Sequence, residues 1–222
     1  MPTIPEYISQ DSVINKTPTA GNSTLIISSF DPPADTTIIV VCVCIYGIGN
    51  AISVSRDGQS FELANSIENE DSKSYIFYLI NPNMVVADID INIKNAIDTS
   101  KAVATCFKNI DLDNPVNIVA DFGFDVSEGL GTNIEPTVDN CLIVDALAVD
   151  AGTSSLVGAE TELLNDEDIS LAGSQYVVLE TAGVKSMDWS WSGEAPAAHT
   201  LVAFNPLEET VDTTSGMHAL MQ

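Results

Sequence analysis

Short apolar runs separated by turn residues dominate the chain. Residues 25–30 end at Asp31-Pro32-Pro33, and residues 37–46 are apolar on both faces up to Gly47 and Gly49. Residues 51–55 lead into Arg56-Asp57-Gly58-Gln59, where the Asp-Gly step predicts a tight hairpin with residues 60–64 as the return strand. Residues 74–80 stop at Asn81-Pro82-Asn83. Residues 87–94 alternate, with Ala87, Ile89, Ile91 and Ile93 inward and Asp88, Asp90, Asn92 and Lys94 outward. Further strands are predicted over 101–107, 141–149, 175–180, 186–191 and 199–205. The best helical candidate, 160–171, is weakened by its Asn165-Asp166 step. Many short strands with Gly, Pro, Asn and Asp turns predict an all-β fold, a two-sheet antiparallel sandwich of jelly-roll or concanavalin-like type with little helix.

The pattern divides the chain into an extended N-terminal arm (1–23), one sandwich domain (24–205) and a C-terminal tail (206–222). Arm and tail lack a core-forming period but carry Ile4, Tyr7, Ile8, Leu220 and Met221, which could order on a neighbour. Residues 1–15 show neither the basic nor the apolar region of a signal peptide. The expectation is synthesis in a host cytoplasm. The most apolar stretch, 38–48, is too short to span a bilayer as a helix.

Charge narrows the function classes. Thirty-two acidic residues face seven basic ones, a net charge of −25. Phosphate binding needs Lys and Arg to displace counterions, so nucleic acid and anionic membrane are excluded as partners. The acidity reads either as solubility or as divalent-cation binding by some carboxylates. Apolar residues make up 45% of the chain, enough for a full core.

Catalytic chemistry is sparse. The two histidines are His199, which opens a predicted strand, and His218 in the tail. No G-x-S-x-G elbow or Gly-rich phosphate loop occurs. A sandwich glycosidase needs two carboxylates at fixed separation. The nearest run, Asp88-Ile89-Asp90-Ile91-Asn92, lacks Glu and reads as a solvated strand face. A hydrolase is therefore the third choice, and the chain is read as not an enzyme. The one cofactor the residues suggest is calcium (Ca2+), which takes hard oxygen ligands from loops. Asp111, Asp113 and Asn114, before Pro115, are the candidate ligands, with Asn165-Asp166-Glu167-Asp168 second. Cys42, Cys44, Cys106 and Cys141 lie in apolar strands without zinc-site spacing and read as reduced core residues. Trp189 and Trp191 share one face, opposite Asp188, Ser190 and Ser192, so that face is inward; an exposed platform would instead suit sugar stacking.

Five stretches taken in order carry a resemblance: Ile38-Ile39-Val40-Val41, Tyr75-Ile76-Phe77-Tyr78-Leu79-Ile80-Asn81-Pro82, Ala102-Val103-Ala104-Thr105-Cys106-Phe107, Asn140-Cys141-Leu142-Ile143-Val144-Asp145-Ala146-Leu147 and Met187-Asp188-Trp189-Ser190-Trp191. Together they resemble a loose group of phage-encoded and environmental β-sandwich proteins. The chain departs from the group in having Lys108-Asn109 where a Gly-containing turn is common. The resemblance implies a virion structural protein, a capsid decoration, fibre or tail-associated subunit. Its partners would be itself or a coat protein, and it supplies no catalytic residues. The alternative is a carbohydrate-binding, lectin-like module, with glycans as partners and sugar-contacting residues the sequence does not identify.

Overall fold

The computed structural model describes residues 2–15, 21–69, 71–96, 99–150, 156–166 and 170–208. These residues form antiparallel sheets without helix. The central sheet runs β1 (Glu6–Asn15), β9 (Ser100–Lys108), β3 (Ile38–Tyr46), β7 (Ser72–Ile80), β6 (Glu62–Asn69). One flanking sheet runs β2 (Gly21–Phe30), β8 (Ala87–Ala96), β4 (Asn50–Arg56), β5 (Gln59–Ser60). The other runs β10 (Val116–Ile134), β15 (Lys185–Phe204), β11 (Cys141–Val149), β14 (Leu171–Leu179), β13 (Thr161–Asp166), with β12 (Leu156–Gly158) on β15.

The central sheet is covered on both faces. Ile39, Val41, Val43 and Ile45 of β3 pack with Leu25, Ile27, Ile89 and Ile91 of the first flanking sheet. Ile38, Val40, Cys42, Cys44 and Tyr46 pack with Leu142, Val144, Ala146 and Ala148 of the second. This explains why the run over 38–46 does not alternate: a strand with two dry faces must be apolar throughout.

A further layer comes from β10 and β15, of 19 and 20 residues. Their pairing shifts register around Ser127, opposite the stretch containing Gly193, whose φ of 86° favours glycine. Beyond that bend the pair returns over the outer face of β11. Met187 joins Ile143, Leu201 and Ala203, while Trp189 and Trp191 join Leu147, Val149 and Ala197. The expected inward Trp face is therefore core.

Several expectations need correction. Residues 6–15 are not a free arm: β1 pairs with β9, and β2 begins at Gly21, so β1 and the start of β2 fall inside the segment assigned to 1–23. Tyr7 stacks on Tyr176 at 5.7 Å between ring centroids, which fixes β1 to the outer sheet as well. The helical candidate over 160–171 is the strand β13 followed, beyond residues outside the described set, by the start of β14. The two strands predicted over 186–191 and 199–205 belong to one continuous strand, and β10 was not predicted. Its glycines mask a period-2 pattern in Val116, Ile118, Ala120, Phe122 and Phe124. The tail from 209 onward lies outside the described residues. The Asp57-Gly58 hairpin is present, with φ of 46° and 73°, as a primed turn requires.

Three of the basic residues are buried and hold backbone together. Arg56 donates from Nη1 to Asn83 O at 2.8 Å and from Nη2 to Phe30 O at 3.3 Å. Lys73 Nζ donates to Gly47 O at 2.6 Å, and Lys101 is paired with Asp166. Two β6 amides bridge the β10–β15 ladder: Asn65 Nδ2 donates to Ala120 O at 2.9 Å and Leu201 O at 3.4 Å, and Asn69 Nδ2 to Phe124 O at 2.7 Å and Ala197 O at 3.1 Å.

All four cysteines are free and buried. Burial pushes the Cys42 thiol up to about 12 and Cys141 up to about 11, from an ordinary value of 9.0. Native thiols therefore keep their protons where unfolded thiols lose them, and stability falls as pH rises above that ordinary value. Thiol labelling without reductant is expected to be slow in the native state and to reach four in denaturant. Urea midpoints should drop from pH 8 to pH 10, and the Cys42→Ala variant should show a smaller drop.

Candidate functional site

Asp145 sits in the middle of the apolar strand β11 and is fully buried. Strand alternation turns it, with Ile143 and Leu147, toward the returning β10–β15 layer. Stripping water from a carboxylate costs several kcal/mol unless hydrogen bonds replace it. Here four donors do so. Oδ1 accepts from the Gln175 backbone N–H at 2.7 Å. Oδ2 accepts from Trp189 Nε1 at 2.8 Å and Gln175 Nε2 at 2.9 Å, and lies 3.0 Å from His199 Nε2.

His199 continues the array. Its Nδ1 lies 2.9 Å from Thr132 Oγ1, so when Nε2–H is donated to the carboxylate, neutral Nδ1 accepts from the hydroxyl. Asp145, His199 and Thr132 come from β11, β15 and the returning half of β10, so the array joins two layers. Its composition is that of a carboxylate–imidazole–hydroxyl relay. Its setting differs: Asp145 and His199 are 0% exposed and Thr132 5%. The hydroxyl is turned to the imidazole between packed sheets.

The Trp189 ring fixes two nearby positions. A Cβ on Gly173 would stand 2.7 Å from the ring, and one on Gly158 3.1 Å from it and 2.7 Å from Gln175 Oε1. Only glycine leaves room for the indole to reach Asp145. A lone Asp in an apolar run is the hub's one local signature, since its partners lie 30 to 54 residues away.

The accessible candidate is a cleft of about 400 Å³ at the end of the sandwich where both described termini lie. Thr3 N donates to Leu207 O at 2.9 Å and Leu207 N to Asn109 O at 2.8 Å, closing the ends against the β9–β10 loop. Asp111, Asn114, Asn117, Thr137, Asp139 and Asn205 supply polar walls; Pro2, Val138 and Pro206 supply apolar ones. The walls are interlocked: Asn117 Nδ2 donates to Asn205 Oδ1 at 2.9 Å, and Asn205 Nδ2 to Asn114 O at 2.8 Å.

Two of the three predicted calcium ligands, Asp111 and Asn114, line this cleft, and Asp113 does not. Asp111 Oδ1 accepts the N–H groups of Asp113 at 2.9 Å and Asn114 at 3.3 Å, so that oxygen holds its own turn. No cluster of three or more His, Cys, Asp or Glu able to hold a metal occurs among the described residues. Asp166 of the second acidic run is paired with Lys101, while Glu167 and Asp168 lie outside the described residues. Asp88 Oδ1 accepts the Ser29 N–H at 2.7 Å. Asn117, Thr137, Asp139 and Asn205 were missed by sequence reasoning because they are single polar residues that only the fold brings together.

Removing the hub carboxylate as Asp145→Ala should destabilise the fold by about 3–5 kcal/mol, leaving buried donors without an acceptor. Trp189→Phe, which removes one donor and keeps most of the ring, should cost about 1–2 kcal/mol. Gly173→Ala should destabilise clearly although it adds a single methyl. Urea unfolding of the three variants checks the order.

The chain matches no protein-family model, no curated protein and no solved structure.

Proposed function

We propose that this chain is a non-enzymatic structural subunit of a virus particle, a decoration, fibre or tail-associated protein acting through assembly contacts with its own copies or a coat protein. The observation that carries this reading is the end face at the cleft. Val138, 39% exposed, lines the cleft, while Ile4 and Leu207, 54% and 39% exposed, lie on the paired terminal segments whose Pro2 and Pro206 line it. Apolar side chains grouped beside a polar cleft are what an interface presents. The burial of the Asp145–His199–Thr132 array also favours a scaffold role for that relay-like group. The family resemblance of the ordered strand motifs points the same way.

A second reading, a lectin-like module, is favoured by the amide and carboxylate walls of the cleft, which suit sugar hydroxyls. Exposed Phe122 and Phe124, with centroids 4.4 Å apart, add an aromatic surface elsewhere on the sandwich.

The net charge of −25 opposes self-association at low salt, because like charges repel over about 10 Å at 0.1 M salt. Sedimentation is expected to show association rising with salt or millimolar calcium, and Ile4→Asp with Leu207→Asp to abolish it while leaving the urea midpoint within about 1 kcal/mol of the parent. Mass spectrometry and electron microscopy of purified particles should find the chain. A chain absent from particles, monomeric at high salt and positive on a glycan array would replace assembly with the lectin-like reading.

A further inference from the structure

Among the described residues, Lys101 has its side chain fully enclosed between two layers and in contact with a carboxylate of the other layer. It lies on β9 of the central sheet with its side chain 0% exposed, and its Nζ touches Oδ1 of Asp166, at the end of β13 in the outer sheet, whose side chain is 15% exposed. Nζ also donates to Ser170 O and approaches Asp166 O at 3.4 Å, so the nitrogen is held from several sides against the Asp166 side chain. The Tyr46 ring lies 6.0 Å from Nζ.

We propose that Lys101 and Asp166 form an intramolecular isopeptide bond that joins the central and outer sheets covalently. The arrangement supplies two things such a condensation needs: a nucleophilic nitrogen enclosed between the layers and a carboxyl carbon whose oxygen it touches. The neutral amine is the nucleophile and the protonated acid the electrophile. Nζ attacks Cγ of Asp166, the Nζ–Cγ bond forms and one Cγ–O bond breaks. The departing oxygen leaves as water, carrying the two protons that the ammonium nitrogen loses, and the third stays as the amide N–H. The proton passes directly from nitrogen to the departing carboxyl oxygen, which it already touches. The step is a condensation, so no oxidant, reductant or further reactant is required. The product would fix β9 to β13 covalently.

Intact mass spectrometry of the purified, folded chain tests this directly. The expected native mass is one water below that of the sequence, and proteolysis should release a branched peptide joining the segments containing Lys101 and Asp166. Lys101→Met and Asp166→Ala should each show the full mass of their sequences. Asp166→Asn should lose ammonia in place of water and give the same branched peptide. A native chain at full mass overturns the proposal whether or not the variants fold. So does a water loss that persists in Lys101→Met, or one that maps to a cyclised Asp57-Gly58 step instead of a branched peptide.

Discussion

The rest of this structure depends on a sheet with no wet face. Strand β3 is buried at every position, and its neighbours β7 and β9 nearly so. Such a sheet can exist only if other layers exclude water from both sides, so the flanking sheets are required by the sequence of the central one. The same demand reaches the second flanking sheet, where β11 is also buried throughout. The long β10–β15 pair answers it by bending at its register shifts and covering the outer face of β11 with Met187, Trp189 and Trp191.

Stacked dry layers leave little room for polar groups, and those present are used as fasteners. Asp145 collects donors from β14 and from both halves of β15, so one carboxylate ties three chain segments together. Such a hub is directional where apolar packing is not. Hydrogen bonds of fixed geometry set one register between layers that hydrophobic contact alone would allow to slide. The glycines at 158 and 173 are part of the same device, since the indole reaches the carboxylate only across them.

The positive charges are distributed in a related way. Arg56, Lys73 and Lys101 are buried on backbone carbonyls or a carboxylate, and Lys108 and Lys185 are paired with acids at the surface. The solvent-facing charge is consequently more negative than the composition alone conveys. The cleft end shares in that field, since Asp111, Asp139 and Glu208 stand in its wall beside the amides and apolar side chains.

The sequence by itself determined the all-β class, the buried run over 38–46, the inward face of Ile89, Ile91 and Ile93, the Asp57-Gly58 hairpin and the inward tryptophans. Each depends on side-chain period or turn chemistry within a few residues, where the physics is local. Only the tertiary structure decided that β1 belongs to the central sheet, that the acidic stretch after Glu160 is a strand, and that residues 185–204 are one bent strand. Those outcomes rest on edge pairing and on layers arriving from distant parts of the chain, which override weak local preference. The same holds for the sites. Asp111 and Asn114 could be singled out from their run, but the cleft they line needs Asn117, Thr137, Asp139 and Asn205 from other loops. The Asp145 hub and the Lys101–Asp166 contact join residues 30 to 65 positions apart, and no spacing rule encodes a meeting that only the stacking of sheets brings about.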